Sequence, residues 1–355
     1  MKPLRITIVL PFPVTKPVGG AKIMYEYANR LYAAGHTVTV LHSIRRPYKK
    51  MKSPLWWKKF VFALRGVARP KWFPLNKNIK STIVNSITNR YVPDADIVFS
   101  TWWQIAYAIT ELAPAKGKPV NLIQDFEIWP GQKEKILASF KLPIHHAVIA
   151  GYLKELLKEN GASNITYFPN AIDSTIFFKS ISIEERNPLS IIMLYSEESR
   201  KGSKYGVDAL VQIKKQIPAL KVTLFGVYKK PDSLPDWISY CRRPDNLTSL
   251  YNGHAIFLSP SLGEGWALPP AEAMACGCAV VCTNIGGHTD YAKDGETALL
   301  VKVEDENDII SKLTYLLENN NNRIQLANKG NQFLSANFNW DKSVDIATQF
   351  FYSIQ

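Results

Sequence analysis

The sequence predicts an α/β protein of two domains, each a parallel β-sheet covered by helices on both faces. Three observations carry that prediction. Short apolar runs alternate with helical patterns, pause in a polar, turn-rich stretch around 169–188, and then alternate again. The chain has 355 residues, room for two cores at roughly 100–200 residues per domain. Its 46% hydrophobic content excludes a disordered chain.

Taken in order, residues 5–10 read as a first strand. The apolar run there is short, is broken by Pro11 and Pro13 and lacks a small-residue cleavage site, so a signal peptide is not expected. A helix over 21–34 is ended by Gly35, a position suited to a left-handed cap. A strand over 37–42 precedes a basic insertion of about residues 45–80. Strands follow at 96–101, 120–124, 147–150 and 165–168, with helical pieces between them. A hinge near residue 170 leads into a second series of strands at 190–194, 222–225, 255–258, 279–282 and 298–301. Helices over 308–318 and 323–336 flank a polar break at 319–322, and an amphipathic segment covers 340–351. In such sheets ligands bind beyond the carboxyl ends of the strands, and two such edges are expected to face each other across a cleft.

No run reaches the ~18 uncharged apolar residues that would span a bilayer. The four cysteines, Cys241, Cys276, Cys278 and Cys282, are sparse enough for a reducing cytoplasm. Three of them straddle a predicted helix end and a buried strand, where small buried thiols are expected rather than metal ligands. No other cluster suggests a metal.

The chain carries 43 Lys+Arg against 30 Asp+Glu, a net charge of +13. The excess is local. Fourteen basic residues and no acidic one lie between Tyr27 and Pro93. Drawn as a helix over 54–69, this segment gathers Lys58, Arg65 and Arg69 on one side, with Trp56, Trp57, Phe60, Val61 and Leu64 on the other and Lys59 at the edge. That pattern suits a helix lying in an anionic membrane interface. The alternatives are a solvated basic face whose aromatics pack into the core, and a nucleic-acid contact.

The most informative stretch runs from Ser259 to Gly287. A strand ends at Pro260, Gly263-Glu264-Gly265 forms a turn, and Pro269 and Pro270 suit the first turn of a helix. Backbone N–H groups from Gly265 to Leu268, Ala267 included, are expected at that helix N-terminus, a natural anion site. Glu264 and Glu272 sit eight positions apart across the turn, placed to accept hydrogen bonds from sugar or ribose hydroxyls in one pocket. Against this stand a solvated loop carboxylate at Glu264 and a dipole-favoured one at Glu272.

This stretch resembles the PSxxEGxGLPxxEAMAxGxPVV signature of family 4 retaining glycosyltransferases. The counterparts here are Pro260, Ser261, Glu264, Gly265, Leu268, Pro269, Glu272, Ala273, Met274, Ala275, Gly277, Val280 and Val281. Ala267 replaces a frequent Gly, and Cys278-Ala279 replaces a small residue and Pro. Gly19 and Gly20 are similar to the family's glycine-rich loop near the donor phosphates, and Gly35-His36-Thr37-Val38 to its Gly-His-x-Val turn. Asn170-Ala171-Ile172-Asp173 is similar to its second-domain start, and Asn339-Trp340 to the start of a segment that crosses back. The resemblance implies two Rossmann-like domains (GT-B): 1–169 on the acceptor side, 170–338 binding nucleotide sugar, and 339–355 returning to the first domain.

It also implies an Arg and a Lys on the donor diphosphate after the second domain's first strand, because negative charge grows on the leaving phosphate. Arg200 and Lys201 fit that role, with Lys204 as competitor. Glu264 is expected to bind the donor sugar and Glu272 the ribose. Many family members have a His after the strand at 120–124. Here Gln124-Asp125-Phe126-Glu127 stands instead, a run similar to rhamnosyltransferase-like members, with Asp125 or Glu127 orienting the acceptor hydroxyl. The expected partners are a UDP-, GDP- or dTDP-linked sugar, a glycan or lipid-linked acceptor of the cell envelope and the inner face of the cell membrane, without a cofactor, metal or nucleic acid. Trp56, Trp57, Lys58, Lys59, Arg65 and Arg69 form the expected dock. The rivals are a GT-B nucleotide-sugar epimerase and a non-catalytic basic binding protein.

Overall fold

The computed structural model describes residues 2–126 and 131–355. It divides into two compact units, one formed by Met1–Pro169 with Ser343–Gln355 and the other by Asn170–Lys342.

The first unit runs β1 (Arg5–Leu10), α1 (Gly19–Ala33), β2 (Thr37–Ser43), α2 (Leu55–Leu64), β3 (Lys80–Val84), β4 (Ile97–Thr101), α3 (Trp103–Thr110), β5 (Lys118–Ile123), α4 (Lys133–Ser139), β6 (His145–Val148), α5 (Gly151–Glu159) and β7 (Ile165–Tyr167). Among the described residues its sheet has seven strands in the order β3-β2-β1-β4-β5-β6-β7, all parallel. The central strands β1 and β4 are buried almost throughout, as apolar strands covered on both faces must be.

The second unit runs β8 (Ser190–Leu194), α6 (Ser203–Gln216), β9 (Lys221–Gly226), β10 (Ile238–Arg242), α7 (Leu247–Asn252), β11 (Ile256–Ser259), α8 (Leu268–Ala275), β12 (Ala279–Thr283), β13 (Leu299–Val301), α9 (Glu306–Glu318) and α10 (Asn320–Asn337). Its sheet is parallel in the order β10-β9-β8-β11-β12-β13. The polar break between the late helices shrinks to Asn319, because the buried Arg323 turns back onto Asn320 Oδ1 at 2.8 and 2.9 Å and tightens the first turn of α10.

The last helix, α11 (Trp340–Ser353), carries the chain into the first unit. There Ser343 donates to the Pro169 carbonyl at 2.6 Å, and the fully buried Phe351 packs on Phe99 and Phe168 with ring centroids 5.4 and 6.0 Å away.

Two strands escape the alternation pattern. β3 and β10 lie at sheet edges and are only partly buried, so their sequences lack the apolar run that marks a central strand. Strand order reverses once in each unit, between β1 and β4 and between β8 and β11. The carboxyl ends of those strand pairs are the places where such sheets leave a crevice.

Candidate functional site

In the second unit the residues that follow β8 meet those that follow β11. A short 3-10 turn at Ser199–Lys201 ends at Gly202, whose φ is +61°. A Cβ at Gly202 would lie 2.0 Å from the Pro260 carbonyl oxygen, so only glycine allows this approach. Leu262 N–H donates to the Arg200 carbonyl at 2.7 Å and ties the two loops together. The result is an ion pair: Lys201 Nζ reaches Glu264 Oε1 at 2.7 Å and Oε2 at 3.0 Å. The side chains are 19% and 10% exposed, so this is a sheltered charge pair at the rim of a niche lined also by Ser259, Ser261, Pro269 and Pro270.

Glu264 is held from several sides. Ser261 Oγ donates to its Oε1 at 2.9 Å. A Cβ on Gly287 would stand 2.5 Å from the Glu264 carbonyl oxygen and 2.6 Å from its Cβ. Beneath lies His288, fully buried, its pKa pushed down to about 4 by burial. Its Nδ1 lies 2.8 Å from the Thr283 carbonyl oxygen and its Nε2 3.3 Å from Ser259 Oγ. A carbonyl only accepts, so Nδ1 carries the proton and Nε2 accepts from Ser259. Thr283 Oγ1 in turn donates to the Ser261 carbonyl. A continuous hydrogen-bonded scaffold thus leads from His288 to the carboxylate. Sequence reasoning missed His288 and Thr283, because long-range polar partners leave no local pattern.

The other expected donor-side residues fall into different surroundings. Arg200 is exposed at the mouth of the turn, with its Nε 3.6 Å from Glu198 Oε2. Lys204 is exposed in the first turn of α6 and does not line the niche. Glu272 does not share the niche with Glu264. It lies one turn inside α8, buried, where Tyr251 donates to its Oε2 at 3.3 Å. Gly265 is buried in the turn and Leu268 opens α8. Ala267 departs from expectation: its N–H closes the turn onto the Gly287 carbonyl at 3.0 Å and its own carbonyl accepts from Tyr291 at 2.9 Å. It therefore has no N–H to offer an anion. The thiols of Cys276 and Cys278 are buried and pushed up to about 12 by that burial, which suits packing rather than chemistry.

In the first unit a cavity of about 130 Å³ opens at the carboxyl ends of β1, β4 and β5. Most of its wall is apolar or aromatic, with Leu10, Phe12, Val14, Trp102, Trp103 and Phe140 contributing. Trp102 sits at φ +82°, a conformation that bulky residues rarely adopt and that clusters at functional sites. One polar strip crosses the cavity: Gln124 Nε2 donates to the Gly20 carbonyl and to Thr101 Oγ1, both at 3.0 Å. Asp125 lines the same cavity, and its Oδ1 accepts from the Phe126 N–H at 2.8 Å. Glu127 lies outside the described residues. Gly19 and Gly20 are the first two residues of α1 rather than a loop before it, since backbone bonding starts with Lys22 N–H to the Val18 carbonyl at 2.9 Å.

The basic segment splits into two parts. Helix α2 stops at Leu64, earlier than the expected Arg69, because the chain turns through Gly66 at φ +59°. None of its residues is buried, so its aromatics do not pack into the core. Trp56 is 70% exposed, Phe60 52% and Leu64 72%, and Trp57 is exposed beside them. Lys58 is half-buried, and Lys59 and Arg65 are exposed. Arg69 does not continue their face. Its guanidinium turns inward and donates to the carbonyls of Leu75, Asn76 and Ile79 at 2.7–2.8 Å. Beyond it Phe73 is buried against Tyr25, centroids 5.4 Å apart.

Comparison with known proteins agrees with this architecture. The family model described as "Glycosyl transferases group 1" matches residues 174–333. D-inositol 3-phosphate glycosyltransferase of Corynebacterium urealyticum is 30% identical over 113 residues, 32% of this chain and 26% of that protein. N,N'-diacetylbacillosaminyl-diphospho-undecaprenol alpha-1,3-N-acetylgalactosaminyltransferase of Campylobacter jejuni is 24% identical over 186 residues, 50% of this chain and 48% of that one. The chain thus spans a quarter to a half of the length of these curated relatives. The structure of Anabaena HepE in complex with UDP superposes with a TM-score of 0.74 over 99% of both chains at 13% identity, a likeness of fold. The chain therefore has the two-domain GT-B fold, and its second unit matches the group 1 glycosyltransferases in sequence.

Proposed function

We propose that this protein is a family 4, retaining glycosyltransferase that moves a sugar from a nucleoside-diphosphate sugar to a glycan or lipid-linked acceptor of the cell envelope. The observation that carries the reading is the sheltered Lys201–Glu264 pair at the switch point of the second unit. In the reaction the bond from the sugar's anomeric carbon to the donor phosphate breaks and a bond to an acceptor oxygen forms. The acceptor's proton leaves with the nucleoside diphosphate. Lys201 neutralises the leaving phosphate, with Arg200 at the mouth of the turn adding a second cation. Glu264 binds the donor sugar and stabilises positive charge at its anomeric carbon. Glu272, buried on Tyr251, fixes the ribose end. These cations perform the task that a metal ion does in other transferases, and no cofactor enters the reaction.

On the acceptor side we assign the cavity lined by Gln124 and Asp125, with Asp125 orienting the hydroxyl. Two similar proteins support the substrate classes: the Campylobacter relative is named for transfer to a diphospho-undecaprenol-linked sugar, and HepE binds UDP. The exposed aromatic and basic face of α2 supports work at the cytoplasmic surface of an anionic membrane. A thermal-shift screen against UDP, GDP, dTDP, ADP and CMP in EDTA tests the reading. One diphosphate is expected to raise the midpoint in the wild type and not in Lys201→Ala, since ligand stabilisation grows with the logarithm of concentration over Kd. No shift with any nucleotide at millimolar concentration would count against the donor site.

A further inference from the structure

We propose that the groove between the loop after β1 and residues 64–71 is a binding site for the phosphate headgroup of a membrane lipid. The inference deepens the membrane part of the reading above and rests on it. The groove measures about 350 Å³ and is lined by Val14 and Thr15 on one side and by Leu64, Arg65, Arg69 and Lys71 on the other. Three basic residues therefore border one hollow.

Their charge is not neutralised from within. Arg69 is held by three backbone carbonyls, which fix its position but carry no net charge. Among the described residues no carboxylate forms an ion pair with Arg65, Arg69 or Lys71, and the chain holds no acidic residue from 28 to 93.

The apolar half of the ligand is specified too. Leu64 both lines the groove and closes the exposed row Trp56, Trp57, Phe60, Leu64 on α2. An apolar strip that runs directly into a cationic hollow matches an acyl chain followed by a phosphate, and it suits neither a free anion nor a nucleic-acid backbone. Val14 also lines the cavity at the ends of β1, β4 and β5. A lipid phosphate held here would therefore lie one side chain away from the proposed acceptor cavity.

The test uses the full chain and a water-soluble, short-chain phosphatidylglycerol below its micelle concentration, read by titration calorimetry. Saturable binding to the wild type is expected. It should weaken tenfold or more in Arg65→Gln with Lys71→Gln, and stay within about twofold in Lys77→Gln with Lys80→Gln, which removes the same charge at exposed positions outside the groove. Inorganic phosphate at equal concentration should not displace the lipid. Equal losses in the two double variants would overturn the site, and so would full displacement by phosphate. Flotation with phosphatidylglycerol vesicles separates the two ideas. Wild-type flotation without saturable binding of the monomer sinks the groove alone, whereas no flotation sinks the membrane reading as well.

Discussion

The two crevices of this protein are built from opposite materials. The niche of the second unit is a polar lattice in which Lys201, Glu264, Ser261, Thr283 and His288 are linked by direct bonds. The cavity of the first unit is an aromatic and aliphatic shell crossed by one polar strip from Gln124 to Thr101 and Gly20. A lattice of bonds requires particular side chains, whereas a shell requires only volume and apolarity. Under the proposed function, the first arrangement suits the charged phosphates of a donor and the second an acceptor held mainly by shape.

The sharpest way to break the comparison is to cut the lattice. Lys201→Ala or Glu264→Gln should lower the release of nucleoside diphosphate in the presence of acceptor by roughly 100- to 1000-fold, the range seen when one preorganised charge-stabilising group is removed. A loss below tenfold would move the diphosphate site to Arg200 or Lys204.

Acid should distinguish the units next. His42 and His146 in the first unit and His288 in the second are buried, and burial lowers each pKa to about 4. Between pH ~6.5 and ~4 the unfolded chain takes up protons that the native state refuses. Stability is therefore fully present above pH ~6.5 and is lost as pH falls, by on the order of 3 kcal/mol for each such histidine. The first unit, with two of the three, should unfold at the higher pH. Unfolding followed by near-ultraviolet dichroism and limited proteolysis from pH 7 to pH 4.5 would show it, and simultaneous loss of both units would contradict it.

Gly202→Ala forces a Cβ into the Pro260 carbonyl at positive φ. It should destabilise by about 1–3 kcal/mol and weaken nucleotide affinity in parallel, with denaturant melts and nucleotide titration as the readouts. The smallest effect is expected in the shell. Thr101→Val removes one acceptor of the Gln124 amide, and acceptor KM should rise severalfold while donor affinity holds. Equal changes in both would mean that Thr101 serves folding alone.

Much of this was legible in the sequence, unevenly. The central strands announced themselves by apolar runs, and the Glu264 stretch by local spacing, because its turn, prolines and carboxylates lie within a few residues of each other. The edge strands β3 and β10 were not legible, since half-exposed strands carry mixed residues. Nor was the meeting of Lys201 with Glu264, which depends on Gly202 approaching Pro260 across 58 positions of chain. The periodicity of 54–69 predicted one long amphipathic helix. Only the backbone shows that Gly66 ends it and that Arg69 belongs to the loop beneath. The split of Glu264 and Glu272 into separate surroundings escaped for the same reason: spacing fixes neighbours along a helix, and Tyr251 comes from elsewhere in the chain.

The return of the last helix has a consequence for biosynthesis. Phe351 completes the packing around Phe99 and Phe168, yet it is synthesised only after all of residues 170–342 have been added. On the ribosome the first unit therefore waits, with an open apolar seam, until the second has emerged and had time to fold. The usual amino-to-carboxyl order of domain completion is inverted here, and the unfinished seam is the surface that a chaperone would have to shield in the meantime.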